Sequence, residues 1–271
     1  MKYIMDDDLL GIYYISLKKD EQRREKMLNF FPQEFTKMNY VEAIYGKNLM
    51  TQEYYSKLIK FFENTGKLIT PSELGCLMSH EKALNTFIYS DYKYALILED
   101  DILGSDADIQ KIRDFTKKYV GKNFFFHCGG MDGRKSIQYI LGHEVNNKGL
   151  YLLTSFSIKH LWRACCYAID KQTAISLLEL YKKNIAVADE WNKILPQLNT
   201  KVYAANILHH PIELRDSNIE CDRKLKNTKI NLINFIRKVF VKLINMSNKY
   251  FYEFLGYKNI YNRNRKNKKF G

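Results

Sequence analysis

At 271 residues and 32.1 kDa the chain is long for one ordinary domain and short for two, which suggests one large domain with an appendage. With 46% apolar, 14% aromatic and 27% charged residues, and only 13 Gly and 4 Pro, the composition excludes a wholly disordered chain and a collagen-like fibre. The net charge of +13 is not spread evenly: residues 224–271 hold 13 Lys and Arg against one acid (+12), whereas residues 1–223 hold 30 basic and 29 acidic residues (+1).

In chain order, Asp6, Asp7 and Asp8 stand where an export signal would carry its apolar run, so a cytoplasmic protein is expected. The five cysteines are odd in number and form no C-x-x-C pair, which reads as reduced thiols. Gly11–Leu17 is a β-rich apolar run. Asp20 follows as a helix N-cap, and the charged stretch Glu21–Leu28 as a helix. Thr70 and Glu73 have capping-box spacing around Pro71, and Leu74, Leu77, Met78, Leu84 and Ile88 give the ensuing helix an apolar face. Tyr94–Leu98 reads as a buried parallel strand. Further strands are expected at Asn123–His127, Ala164–Ile169 and Lys201–Ala205, with a helix capped by Asp170 between the last two. Strands alternating with helices predict an α/β fold with a mostly parallel central sheet.

The strand Tyr94–Leu98 runs into Glu99-Asp100-Asp101. In such sheets ligands bind beyond the carboxyl ends of the strands. In extended backbone Glu99 and Asp101 point the same way, which makes them a ligand pair for Mg²⁺ or Mn²⁺; Asp100 points the other way and orders neighbouring backbone. A cation held by two carboxylates usually completes its shell with substrate phosphates, which suggests a nucleotide or sugar-nucleotide reaction. No G-x-x-x-x-G-K-[ST] loop occurs, and Gly129-Gly130 does not make a dinucleotide fingerprint. A solvated acidic turn is the plainer reading of the same three residues.

Four segments together resemble glycosyltransferase family 25, the lipooligosaccharide galactosyltransferases of Gram-negative bacteria. They are Ile12–Arg24, Glu42-Ala-Ile-Tyr-Gly46, Ser72-Glu-Leu-Gly-Cys-Leu-Met-Ser-His80 and Ala95-Leu-Ile-Leu-Glu-Asp-Asp101, with a weaker piece at Ala188-Asp-Glu-Trp191 and at His210-Pro211 to Ser217-Asn218-Ile219. The resemblance implies a GT-A-like fold, inversion at the anomeric carbon, a UDP-sugar donor (UDP-galactose favoured) and Mn²⁺ or Mg²⁺ held by Glu99 and Asp101. It further implies that Ser16, Leu17 and Arg24 flank the nucleotide, that Ser79 and His80 line the donor side with Asp100 nearby, and that Asp189 or Glu190 takes the acceptor's proton. Trp191 would stack under a sugar ring, and His209 and His210 would complete the metal shell. Three departures stand out: Ser16 where the family commonly has Asn, Tyr45 in place of an acid before Gly46, and Arg163-Ala-Cys-Cys166 where small residues are usual.

The basic appendage, residues 224–271, has its own pattern. Ile233, Ile236, Val239, Phe240, Leu243, Met246, Tyr250 and Phe254 recur at helical spacing, and lysines fall on the other face, so residues 230–256 read as an amphipathic helix for an anionic membrane surface. The expectation is therefore a glycosyltransferase domain over 1–223 at the inner face of the cytoplasmic membrane, adding a hexose to a lipid-linked oligosaccharide. The same acids would also serve a metal-dependent nucleotide-sugar hydrolase or phosphoryl-transfer enzyme. A basic membrane- or nucleic-acid-binding module with a degenerate enzyme body is the reading from another class.

Overall fold

The computed structural model describes residues 9–118, 121, 123–145, 148–183, 185–212 and 232–261. The Asp6–Asp8 run, the Ser217–Ile219 piece, the 223/224 boundary and the basic residues 263–269 lie outside the described residues.

The first apolar run becomes strand β1, Leu10–Ser16, buried over its whole length. Parallel β2 (Asn39–Glu42) lies on one side of it and parallel β3 (Tyr94–Glu99) on the other. Helix α1 (Glu21–Phe30) follows β1, with Asp20 at its N-cap position but no side-chain capping bond. α2 (Thr51–Thr65) ends at Gly66, whose φ of +65° is the left-handed conformation that closes helices. α3 spans Pro71–Ile88, and its capping box is complete: the Thr70 hydroxyl accepts from the Glu73 N–H while the Glu73 carboxylate accepts from the Thr70 N–H. α4 (Asp106–Lys118) leads to β4 (Phe124–Gly129), and a hairpin of β5 (Leu141–Val145) and β6 (Leu150–Leu153) precedes the single turn α5 (Ser155–Ile158). β7 (Cys166–Asp170) is followed by α6 (Lys171–Lys182), where the Asp170 side chain accepts from the Thr173 N–H as a cap should. The short α7 (Trp191–Ile194), β8 (Lys201–Leu208), α8 (Leu232–Phe254) and β9 (Lys258–Asn259) complete the described order.

The strands form one nine-stranded sheet in the order β2-β1-β3-β7-β4-β8-β6-β5-β9. Parallel pairing holds for β2-β1-β3 and for β4-β8; β7 runs antiparallel to both its neighbours, and the β6-β5-β9 end is antiparallel. The sheet is thus mixed, because β7 enters from the opposite direction between β3 and β4. Period-two alternation divides the core into two layers. Tyr13, Ile15, Ala95 and Ile97 face Leu77, Leu84, Phe87, Leu177 and Trp191 on one side. Ile12, Tyr14, Leu96 and Leu98 face Met27, Ile109, Ile112 and Phe115 on the other.

The amphipathic helix expected in the basic segment is α8, and the chain returns to the body after it. Tyr252 stacks on Phe156 at 5.7 Å and meets Tyr257 edge-on, β9 pairs with β5, and Ile260 and Tyr261 are buried in the main core. Half-buried Asn245, Met246, Asn248, Lys249, Tyr252 and Glu253 mark the side that faces the body. Of the expected apolar stripe, Val239, Phe240 (65% exposed), Leu243, Tyr250 and Phe254 (88% exposed) are open to solvent and Met246 is half-buried, while Ile244, Phe251 and Leu255, off that stripe, are exposed as well. No described helix is long and apolar enough to cross a membrane.

Candidate active site

The carboxyl ends of β1 and β3 lie side by side, with Ile15 opposite Glu99. Glu99 is the last residue of β3, and Asp100 and Asp101 sit in the turn that follows, where Leu103 bridges to His209. The turn breaks the alternation expected of extended backbone, so the three acids diverge rather than falling into one pair and one outlier. Glu99 turns toward α3, where it lies 3.2 Å from His80 Nε2 and accepts a weak bond from Cys76 Sγ at 3.9 Å. Asp100 accepts from Arg23 Nη1 at 2.9 Å. Asp101 Oδ2 lies 3.4 Å from His210 Nε2 and 3.5 Å from Arg23 Nη1. All three nonetheless line one cleft of about 140 Å³, together with Ser16, Ser79 and His80.

Two glycines hold the wall of this cleft. A Cβ on Gly75 of α3 would lie 2.6 Å from Gly46 N and Ile44 O, and one on Gly46 would lie 1.7 Å from Pro71 O. Only hydrogen at both positions lets the Ile44–Gly46 loop reach the start of α3. Ser79 fastens the contact: its hydroxyl donates to Gly75 O at 2.6 Å and accepts from Ile44 N–H at 2.8 Å. Tyr45, which stands in place of an acid before Gly46, lines the cleft, and Lys19 lies 3.9 Å over its ring. His80 is fully buried, with Nδ1 3.2 Å from the Tyr167 hydroxyl and Nε2 directed to Glu99. A neighbouring hollow of about 410 Å³ continues past Leu17 to Lys18, Lys19 and Lys82.

Ser16 and Leu17 lie where β1 ends, and both border the cleft. Arg24 does not border it. Its guanidinium donates to Ser16 Oγ (3.2 Å), Leu17 O (2.5 Å) and Lys18 O (2.8 Å), tying down the backbone that leaves the strand. Arg23, one residue earlier, is the arginine that faces the acids. Sequence reasoning missed it because adjacent arginines are indistinguishable until the helix phase is fixed.

On the far side of Asp101, His209 and His210 follow β8. Asp132 accepts from His210 N–H at 3.0 Å and lies 3.1 Å from His209 Nδ1, while His210 Nδ1 pairs with Pro211 O at 2.8 Å. Gly129, at φ +131°, would place a Cβ 2.1 Å from Leu208 O. The Gly129-Gly130 pair therefore serves close approach of β4 to β8. Arg163 adopts φ +68°, a sparsely populated conformation for a residue with a side chain, and donates from Nη1 to Gly130 O at 2.6 Å.

The electrostatics separate the two aspartates. Burial pushes the Asp100 carboxyl up to about 6, against the Ser16 hydrogen bond and the Arg23 charge. Burial acts on Asp101 in the same direction, but the hydrogen bond and charge of His210, aided by Arg23 and Arg163, outweigh it and hold Asp101 below the usual carboxylate range. Asp101 Oδ1 is buried and accepts no hydrogen bond from any described residue. An ionised carboxylate with one buried, unpartnered oxygen is a position that a cation fits. Glu99 and Asp101 each offer the hard oxygen donors that Mn²⁺ or Mg²⁺ prefers, with His210 Nε2 3.4 Å from Asp101. Cys76, His80 and Glu99 also bring ligand atoms within 4.8 Å of one another, a softer donor set than those ions select.

Asp189 and Glu190 do not line this cleft among the described residues. Glu190 is buried at the start of α7, where it accepts from Val187 N–H at 3.3 Å and Lys193 Nζ at 2.7 Å and pairs with Lys67 at 3.7 Å. Asp189 is half-buried, and its charge reaches the Tyr181 hydroxyl, which is raised chiefly by its burial and then by Tyr167, Cys76, Glu81 and Asp189. Trp191 is fully buried, 4.5 Å from Phe125 and 5.1 Å from Tyr167, with Nε1 donating to Arg163 O at 2.8 Å. The expected sugar platform is instead a core residue that supports the strained Arg163 turn, because all its faces are already covered.

Residues 10–191 match the family described as Glycosyltransferase family 25 (LPS biosynthesis protein). A relative named Glycosyltransferase 25 family member, from Anopheles gambiae, is 30% identical over 129 residues, covering 42% of this chain and 22% of that protein. Homo sapiens Procollagen galactosyltransferase 2 is 28% identical over 96 residues, covering 34% of this chain and 15% of that protein. The chain thus spans less than a quarter of the length of these curated relatives. Among solved structures, S. aureus TarS 1-349 in complex with UDP aligns at a TM-score of 0.41 and 12% identity, over 74% of this chain and 59% of that one. A glycosyltransferase involved in glycosylation of the major capsid of PBCV-1 aligns at a TM-score of 0.38 and 10% identity, over 80% and 98%. The family match takes in β1, the glycine-bonded cleft wall and the three acids alike, and the chain belongs to glycosyltransferase family 25.

Proposed function

We propose that the protein transfers a hexose, galactose in the favoured case, from a UDP-sugar to a lipid-linked oligosaccharide of the lipooligosaccharide or lipopolysaccharide type, with inversion at the anomeric carbon. The observation that carries this reading is the ionised, half-buried Asp101 just after β3, which has one buried, unpartnered oxygen, lies 3.4 Å from His210 and shares with Glu99 a cleft bounded by the end of β1. The family description as an LPS biosynthesis protein and the relatives named procollagen galactosyltransferases support the acceptor and sugar class.

Glu99 and Asp101 would hold Mn²⁺ or Mg²⁺, with His210 beside Asp101. When bound, that ion supplies charge to offset the negative charge growing on departing UDP. The chain's own groups do the rest. Ser16 and the Leu17 backbone, fixed by Arg24, flank the nucleotide, while Ser79 and His80 keep the opposite wall in place. Attack by an acceptor hydroxyl from the opposite face needs a proton acceptor within reach. The resemblance offers Asp189 and Glu190 for that role; neither lines the cleft among the described residues, and the Glu190 carboxylate is engaged by Lys193, Lys67 and the Val187 N–H.

We further propose that α8 lies on the inner face of the cytoplasmic membrane. Its outward apolar stripe, with the +12 charge of residues 224–271, suits an anionic bilayer surface. Incubation with a panel of UDP-sugars, Mn²⁺ and bacterial glycolipid, followed by mass analysis of the lipid, tests the reading. A hexose added to the glycolipid from one donor is the expected result. UDP release with free sugar as the only product would assign a hydrolase instead.

A further inference from the structure

α1 places two consecutive arginines about 100° apart around its axis, and the structure gives them opposite tasks. Arg24 spends its donors on Ser16, Leu17 and Lys18. Arg23 points into the cleft, where Nη1 lies 2.9 Å from Asp100 Oδ1 and 3.5 Å from Asp101 Oδ2, and its side chain remains 28% exposed. A single guanidinium nitrogen thus sits between two carboxylates, one of which is the acid with the buried, unpartnered oxygen. A divalent cation arriving alone at Asp101 meets a positive charge already in contact with that carboxylate. A nucleoside diphosphate changes the balance, because its oxygens match the planar fork of a guanidinium and compete with Asp101 for it.

Resting on the donor reading above, we propose that Arg23 is an exchangeable counter-cation: it neutralises Asp100 and Asp101 while the cleft is empty and moves to the diphosphate when the donor binds, which couples cation binding to nucleotide binding. Within the Ile12–Arg24 segment, Arg23 rather than Arg24 is thus the donor-binding arginine. The ion and UDP should each raise the other's affinity, since each removes the obstacle to the other. Such couplings typically amount to about 5–150-fold and are reciprocal.

The test measures Mn²⁺ binding to the whole protein with and without UDP, by electron paramagnetic resonance of the free ion, and UDP binding with and without Mn²⁺, by calorimetry. In wild type, UDP should tighten Mn²⁺ binding by about 5–150-fold. In Arg23→Gln, Mn²⁺ alone should bind more tightly than in wild type, UDP should bind more weakly, and the coupling should fall to what direct contact between the ion and the phosphates supplies. Arg23→Lys, which keeps the charge but loses the fork, should restore part of the coupling. Because Arg23→Gln leaves buried Asp100 without its charged partner, the double variant Arg23→Gln/Asp100→Asn is measured alongside, with thermal melts of all forms. Coupling in Arg23→Gln equal to wild type, or Mn²⁺ alone binding more weakly than in wild type in both the single and the double variant, would overturn the proposal. A wild type that binds no UDP even with Mn²⁺ would overturn the donor reading itself, a separate failure visible before any variant is compared.

Discussion

The cleft and α8 break the usual rule of burial in opposite senses. The cleft buries polar and charged groups: Asp100 is 8% exposed and His80 fully covered, in a wall of Ser16, Ser72 and Ser79 that is itself buried. α8 exposes apolar surface, with Phe240, Phe251, Phe254 and Leu255 in solvent although the body lies within reach of the other side of the same helix. Ordinary packing explains neither, since buried charge costs free energy unless partnered and a broad apolar face is seldom left open. Among the described polar atoms lining the cleft, Ser72 Oγ and Asp101 Oδ1 are buried without a partner, and the carboxylate oxygen is the one the proposed cation would take. On α8 no such accounting closes within the described residues. On the proposed reading, a small ligand finishes the first region and a membrane surface the second.

The largest expected effect probes the layer beneath the cleft. Trp191→Ala should lower stability by about 3–5 kcal/mol, measured by chemical denaturation, because a fully buried indole is replaced by a cavity. A variant of unchanged stability with a weakened acceptor KM would instead return Trp191 to the role of sugar platform.

His127 sharpens the cost of buried polar groups. It is fully buried, its Nε2–H shared between Trp162 O and Arg163 O, with Nδ1 unpartnered, and burial pushes it down to about 4. The unfolded chain protonates this imidazole near pH 6.5 and the folded chain only near 4, so its contribution to stability is complete above 6.5 and falls by about 3 kcal/mol as pH drops across that window. His127→Gln keeps the donor and does not titrate, so the difference between its denaturation free energy and that of wild type should shift in its favour on going from pH 7.5 to pH 5. A constant difference would contradict the assignment. Asp100 acts in the opposite sense: its raised pKa means the folded state holds the proton longer, and stability is lost as pH rises through about 6.

Gly75→Ala tests the wall. The added methyl meets backbone at 2.6 Å, which should cost about 1–3 kcal/mol and reduce donor turnover by displacing Ile44 and Tyr45. Normal turnover with full stability would show that the wall moves freely. The smallest structural effect is expected on α8. Phe240→Asp with Phe254→Asp should change stability by no more than about 0.5 kcal/mol, since both rings are exposed, yet abolish sedimentation with anionic vesicles. Vesicle binding that survives the change would assign the attraction to the lysines alone.

How much of this could be read in the sequence depended on range. Local signals held: the Thr70–Glu73 box, the Asp170 cap and the period-three-and-four pattern of α8 all appear as the side chains specify. The buried runs of β1, β3, β4 and β8 were legible from their composition, whereas short β2 and the β5, β6 and β9 edge carry no comparable run. The direction of β7 was not legible either, because a buried run looks alike from both ends. At the site, Glu99, Asp101, Ser16, Ser79 and His80 were named from motif residues, and the cleft brings them together. Arg23 and Asp132 were not, because both act through partners tens of residues away: Asp100 and Asp101 for the first, His209 and His210 for the second.

The most direct test of the central claim is the rate of UDP release from UDP-galactose and its relatives in wild type and in Asp101→Asn, with and without Mn²⁺. The expected result is metal-dependent release from one donor in wild type, reduced by about 10²–10³-fold in Asp101→Asn. Release that is indifferent to both the metal and Asp101, or absent with every donor, would contradict it.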